Sequence, residues 1–308
     1  MNLVFFGTPE FAVIPLITLL NEGYEILAVV TQPDRQSGRG RHMSVCPVKA
    51  EAQKAGLKIL QPLKARNPEF FAELRALNPS VIITAAYGQI LPADIIHLPG
   101  SGCINIHASL LPKYRGAAPI NWAIINGEKK TGITTMLMDE GMDTGPVLLQ
   151  EETEIAPEDT AGTLSLKLSK IGADLLLRTL KELETGLIKP LPQIGAPTFA
   201  LLLKKTDGFI NWTKSAEEVS NFIRGMNPWP GAYGFIEGER IKILKAVPAG
   251  VHGEPGVINT VSKELLIAGA GKDSISILEL QPSGKPVMAV RAFLQGRKIR
   301  AGMRFKSC

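Results

Sequence analysis

The chain has 308 residues, 45% of them hydrophobic and 20% charged, with three cysteines and a formal net charge of +5. No apolar run approaches the roughly 20 residues a bilayer-spanning helix needs, and Cys46, Cys103 and Cys308 are too scattered for a disulfide framework or a zinc site. A reducing, cytoplasmic compartment and a metal-free protein are therefore expected.

The N-terminus, Met1-Asn-Leu-Val-Phe-Phe, lacks a basic leader region and is read as a first strand rather than a signal peptide. Leu3–Gly7, Glu25–Val30, Lys58–Leu60, Val81–Ala85 and Cys103–His107 follow one another as short apolar strands, with helical segments such as Phe11–Leu20 and Pro68–Leu77 between them. Strands alternating with helices predict an α/β fold, a Rossmann-like and mostly parallel sheet covered on both faces. Ile133–Met138 and Val147–Ile155 add two strands around a Gly-rich loop. A long helix over Thr160–Leu183 carries Leu164, Leu168, Ile171, Leu175 and Leu183 on one face.

Gly186, Pro190, Pro192, Gly195 and Pro197 mark a linker. Beyond it a helix near Ser215–Met226 precedes five short strand-like pieces, which predict a small β-barrel. The expected domains are 1–189, a linker over 190–206, and 207–308. Charge divides along the same line. Residues 1–206 hold 20 Lys/Arg and 20 Asp/Glu, residues 207–308 hold 14 and 9, and the last 18 residues contain no acid. A basic appendage on a neutral body fits a polyanionic partner, nucleic acid above all, and equally an ordinary solvated face.

The first strand-to-helix turn, Gly7-Thr-Pro-Glu-Phe-Ala, lacks G-x-G-x-x-G, and the second strand ends in Thr31-Gln32 without a ribose-binding acid. Dinucleotide binding is thus not expected, and no Walker A sequence is present. Asn105 and His107 lie two apart at a strand's carboxyl end, where open α/β sheets bind ligands, so their side chains share one side. A lone histidine is commonly a satisfied core residue. Here, however, the loop Asp139-Glu-Gly-Met-Asp143-Thr-Gly-Pro146 follows a later strand, and Asp143 can reach His107 if the two strands are neighbours. An amide, an imidazole and a carboxylate suit acyl transfer without a covalent intermediate. Asn105 donates to the developing oxyanion, His107 stabilises charge or moves a proton, and Asp143 orients the imidazole. With no nucleophile elbow, the attacking group must come from a substrate amine.

The segment His107-Ala-Ser-Leu-Leu-Pro-Lys-Tyr-Arg-Gly116 resembles the signature of the 10-formyltetrahydrofolate-dependent formyltransferases, and Asp139–Pro146 resembles its companion loop. The chain is similar from end to end to the bacterial members that act on methionyl-tRNA. The similarity includes Phe6-Gly-Thr-Pro-Glu-Phe-Ala12, Thr31-Gln-Pro-Asp-Arg35, Ala86-Tyr-Gly-Gln-Ile-Leu-Pro92 and Asn227-Pro-Trp-Pro-Gly231.

The resemblance implies an enzyme of translation initiation, and a monomer is expected. It would move the formyl group of 10-formyltetrahydrofolate onto the α-amine of methionyl initiator tRNA by direct attack through a tetrahedral intermediate. The implied catalytic residues are Asn105, His107 and Asp143. The implied folate-contacting residues are Ser109, Leu110, Leu111 and Pro112, with Tyr87, Gly88, Gln89, Ile90, Leu91, Gly141 and Met142 lining a pterin slot. Arg35, Arg39, Arg41 and Lys49 are the implied tRNA contacts, and the C-terminal domain is an OB-like barrel against the side of the tRNA. A formyltetrahydrofolate hydrolase or a sugar-amine formyltransferase would share the triplet but has no need of the arginine-rich loop and basic tail. A non-catalytic RNA-binding protein would have no need of the complete triplet.

Overall fold

The computed structural model describes residues 1–37 and 42–306. They form two compact units, the described parts of Met1–Pro119, Lys130–Glu154 and Ser165–Ala200, and those of Ile120–Lys129, Ile155–Leu164 and Leu201–Cys308. The stretch expected as a linker is divided between them. Leu191 pairs with Val147, and Phe199–Ala200 runs parallel to Arg115–Gly116 within the first unit.

The first unit is built on a seven-stranded sheet. Its order is Val147–Glu154, Lys130–Leu137, Cys103–His107, Val81–Ala85, Asn2–Gly7, Glu25–Val30, Ile59–Leu60. The last five strands are mutually parallel; Lys130–Leu137 runs antiparallel to both of its neighbours. Val4, Phe5, Phe6, Val29, Val30, Ile82 and Ile83 are fully buried. Burial of adjacent residues, which point to opposite faces of a strand, means that both faces are covered, as the uninterrupted apolar runs predict.

The helix Ala161–Glu184 buries Leu168 and Leu175 completely and leaves Ile171 and Leu183 half-buried. It is also tied to the first unit through hydroxyls: Ser169 donates to the Phe11 carbonyl (2.6 Å), and Thr179 meets Thr135 (2.8 Å). The carboxyl edge of the parallel strands is stitched by polar contacts. The Thr8 hydroxyl and the Gln32 amide both donate to the Tyr87 carbonyl, at 2.9 and 3.3 Å.

In the second unit an antiparallel sheet runs in the order Tyr233–Ile236, Glu239–Ala249, Ser274–Pro282, Leu266–Gly269, Ile258–Val261. Residues 303–306 bridge its two edges: Phe305 N donates to Gly256 O (2.8 Å), Lys306 N to Phe235 O (2.9 Å), and Met303 O accepts from Ile258 N (2.8 Å). The curled sheet encloses Trp212 stacked on Phe305, with ring centroids 4.8 Å apart. The preceding helix, Ala216–Gly225, starts at a Ser215–Glu218 capping box.

Candidate active site

Strand Cys103–His107 delivers its two polar side chains to one side, with His107 buried and Asn105 half-buried. Neighbouring strands fix both. The Thr84 hydroxyl donates to Asn105 Oδ1 (2.9 Å), which turns Nδ2 outward. His107 Nε2 lies 2.9 Å from the Tyr114 carbonyl. A carbonyl only accepts, so Nε2 carries hydrogen and Nδ1 is the nitrogen that faces Asp143.

The Asp143 carboxylate is the hub of the site. Its Oδ2 accepts from Gly116 N (2.7 Å) and lies 3.6 Å from His107 Nδ1. Its Oδ1 is 3.4 Å from Asn105 Nδ2. The route to this position differs from a simple meeting of two strand ends. Because Lys130–Leu137 is antiparallel to Cys103–His107, its end, Leu137, pairs with Ile104 rather than with His107. The loop must fold back to bring Asp143 to the imidazole. Asp143 does so with φ +53°; Ala86, at the end of strand Val81–Ala85, and Tyr114, whose carbonyl meets His107, are also left-handed, at +48° and +59°. Non-glycine residues in this region cost about 1 kcal/mol or more each and persist where their surroundings hold them.

Three further groups hold this arrangement, none of them expected from the sequence. Thr134, fully buried, donates to Ser109 O (2.7 Å) and accepts from Leu111 N (3.1 Å) and Gln150 Nε2 (2.9 Å). Gln150 also donates to Leu111 O (2.9 Å). Gln193 donates to the Asp143 and Gly145 carbonyls. Thr134 was in view as a hydroxyl within the strand Ile133–Met138. The other two depend on contacts between distant segments.

The expected folate residues fall into two groups. Ser109, Tyr87 and Leu91 are buried, and Leu111 is 5% exposed. The Ser109 hydroxyl donates to Lys113 O (2.6 Å) and so braces its own loop, which continues through a cis Leu111–Pro112 bond. The Tyr87 ring packs edge-on against Phe6, 5.1 Å between centroids, and burial pushes its phenol up to about 12. Tyr87 and Leu91 belong to the hydrophobic core with Phe6, Phe70 and Ile82, while Leu110 packs over Gly132. The exposed members are Ile90 (83%) and Met142 (62%), together with Gly88 and Gly141. Gln89 ties its loop down, accepting from Ala65 N (2.7 Å) and donating to Pro62 O (3.3 Å).

Of the expected tRNA contacts, Arg39 and Arg41 lie outside the described residues. They fall between Arg35–Ser37 and His42–Ser44, which pair as an antiparallel hairpin. Arg35 is exposed and donates to Gln32 Oε1 (3.2 Å). Lys49 is engaged by Asp34 and Gln61, at 2.5 and 2.6 Å, and this pairing holds the Asp34 carboxyl below its usual range. The basic tail is likewise partly paired within its own unit: Arg291 with Glu264, Arg297 with Glu239 and Arg304 with Glu254. A groove of about 560 Å³ on that unit is lined by Lys263, Glu264, Arg291 and Arg297. It holds none of the triplet. No group of three or more His, Cys, Asp or Glu able to hold a metal occurs among the described residues.

Comparison with known proteins agrees with this geometry. The family described as formyl transferase matches residues 1–180, and its C-terminal domain matches residues 202–298. Methionyl-tRNA formyltransferase of Thermodesulfovibrio yellowstonii is 50% identical over 302 residues, 98% of either chain. The Caldanaerobacter subterraneus protein of the same name is 52% identical over 305 residues, 98% of this chain and 99% of that one. A solved Helicobacter canadensis N-formyltransferase, in complex with folinic acid and dTDP-3-aminofucose, has the same fold. It gives a TM-score of 0.67 at 20% identity over 91% of this chain and 98% of that one. Strand order, the Asn105–His107–Asp143 cluster and these matches lead to one conclusion: the chain belongs to the formyl transferase family.

Proposed function

We infer that this protein transfers the formyl group of 10-formyltetrahydrofolate to the α-amine of methionyl initiator tRNA, yielding N-formylmethionyl-tRNA and tetrahydrofolate for translation initiation. The observation that carries this is the Asp143 carboxylate set between Asn105 Nδ2, His107 Nδ1 and Gly116 N. Relatives about half identical over nearly their whole length, named for methionyl-tRNA, support the amine acceptor.

In this reading the amine nitrogen attacks the formyl carbon. The carbonyl oxygen becomes an oxyanion and accepts from Asn105 Nδ2, which the long 3.4 Å contact to Asp143 leaves available. The proton shed by the attacking nitrogen passes to the His107–Asp143 pair and returns to N10 of the folate as the C–N10 bond breaks. Atoms and charge balance with no metal. The exposed Ile90 and Met142 offer apolar cover for the pterin, with backbone groups near Gly88 and Gly141 as its polar partners. In the same reading the enzyme acts as a monomer in the cytoplasm.

Arg35, Arg39 and Arg41 are the loop's phosphate contacts, and the exposed Lys298, Arg300 and Lys306 are those of the second unit. Lys49 serves the foot of the loop through Asp34. Formylation assays with initiator and elongator methionyl-tRNA in parallel test this reading. Formyl transfer to the initiator is expected; efficient folate hydrolysis or amino-sugar formylation in its place would overturn the assignment.

A further inference from the structure

The segment 191–200 lies between the two stretches that match the family, and its ends are pinned to different parts of the site. At one end Leu191 and Val147 exchange backbone bonds of 2.7 and 2.9 Å. At the other, Thr198 accepts from Tyr114 N through its hydroxyl (2.8 Å) and from Arg115 N through its carbonyl (2.9 Å). Phe199–Ala200 then pairs with Arg115–Gly116. Tyr114 and Gly116 are the residues whose backbone groups hold His107 and Asp143.

Between these pins sits Gln193. Its Oε1 accepts two bonds from the Arg115 guanidinium, from Nε (3.1 Å) and Nη2 (2.7 Å). Its Nε2 donates one hydrogen to Asp143 O (2.8 Å) and the other to Gly145 O (2.9 Å). Every donor and acceptor of the amide is used. Its orientation is fixed as well, since a guanidinium only donates and the two carbonyls only accept.

We propose that Gln193 is a positioning residue for the Asp143 carboxylate, with Arg115 as the brace that holds Gln193; the proposal rests on the catalytic role of Asp143. The loop gives the reason a clamp is needed. It leaves its strand opposite Ile104 and must return to His107. Asp139 Oδ1 supports the first half of the turn, accepting from Gly141 N (3.1 Å) and Thr144 Oγ1 (2.7 Å). Gln193 holds the second half by its carbonyls and keeps Asp143 at φ +53°. Without it, the carboxylate would sample positions away from His107 Nδ1, and a displacement near 1 Å costs about 100-fold in rate.

The alternative, that Gln193 only orders Arg115, makes an opposite prediction for Gln193→Glu. A glutamate would pair with Arg115 at least as well. It would also set an oxygen against two carbonyl oxygens now 2.8 and 2.9 Å from the amide nitrogen, and so push the loop away.

The test is single-turnover formylation of methionyl initiator tRNA by the full chain carrying Gln193→Ala, Gln193→Glu, Asp143→Asn, or Gln193→Ala with Asp143→Asn. Binding of tRNA and of folate, and thermal midpoints, are measured alongside. Both Gln193 variants are expected to slow transfer by about 10–100-fold with each Kd within about two-fold. In the Asp143→Asn chain, Gln193→Ala is expected to slow transfer by less than about two-fold, because residues that act as a unit are not additive. Should the alanine variant fail to fold, Gln193→Met carries the same expectations. The proposal is overturned if the two losses multiply, if Gln193→Glu transfers at the wild-type rate, or if Gln193→Ala does so while Asp143→Asn is slow. An Asp143→Asn chain as fast as wild type overturns instead the role of Asp143 itself, and the proposal with it.

Discussion

The Gly116 amide donates to Asp143 Oδ2 across 2.7 Å, and Gly116 itself sits at φ +118° with its α-carbon turned toward the Ala200 carbonyl. A β-carbon there would lie 2.6 Å from that oxygen. Only glycine satisfies both constraints, so Gly116→Ala must shift the strand, the amide, or both. The variant is expected to lose roughly 1–3 kcal/mol of stability in chemical denaturation, and at least about 10-fold in single-turnover transfer. Wild-type values of both would show that the Gly116–Asp143 bond is dispensable.

Thr134 offers a second test, directed at the folate-contacting segment. Its hydroxyl serves Ser109 O, Leu111 N and Gln150 Nε2 at once in a fully buried position. Thr134→Val keeps the shape but orphans a buried backbone amide, and the expected cost is about 1–3 kcal/mol. The Ser109–Pro112 loop should loosen, raising KM for 10-formyltetrahydrofolate more than KM for tRNA. An equal rise in both would argue that this loop does not contact folate.

For the RNA, the three arginines of residues 35–41 should act through phosphate charge. Changing Arg35, Arg39 and Arg41 together to alanine should raise KM for tRNA and leave folate binding nearly unchanged. The slope of log affinity against log salt should fall by roughly 0.7–0.9 for each phosphate contact removed. Lys49→Ala should behave differently, lowering stability by stripping Asp34 of its cationic partner while leaving the salt slope in place. A salt-independent affinity would rule out the electrostatic account.

A pH-dependent part of stability should trace to the capping box of the second unit. The Ser215 backbone and hydroxyl, then Lys214, hold the Glu218 carboxyl down to about 2 from a usual 4.5. A depressed carboxylate adds stability above its unfolded value and loses it as pH falls through the folded one. The difference between wild type and Glu218→Gln should therefore be present at pH 7, shrink below about pH 4.5 and vanish near pH 2. Solvent screening at this exposed site keeps it below about 1 kcal/mol. A gap that widened on acidification would contradict the sign.

The site was legible in the chain where local pattern determines geometry. Asn105 and His107 are two apart on a recognisable strand, so their common direction follows from the pleat. Asp143 could be anticipated as a partner, but its means of arrival could not, because antiparallel register places its loop at the wrong end of His107's strand. Gln193 was hidden for a similar reason. Gly186, Pro190, Pro192, Gly195 and Pro197 give residues 186–197 the composition of a linker, and its order comes from Val147 and Arg115, far away in sequence. The acid-free run of the last 18 residues also overstated the local excess of charge, since Arg291, Arg297 and Arg304 each find a glutamate from earlier in the chain on folding.

The most direct test of the central claim is single-turnover formyl transfer from 10-formyltetrahydrofolate to methionyl initiator tRNA by wild type and by Asn105→Ala, His107→Ala and Asp143→Ala. Wild type should yield formylmethionyl-tRNA and tetrahydrofolate in equal amounts, and each variant should be slowed by at least about 100-fold with tRNA binding intact. Wild-type transfer rates in all three variants would contradict the account.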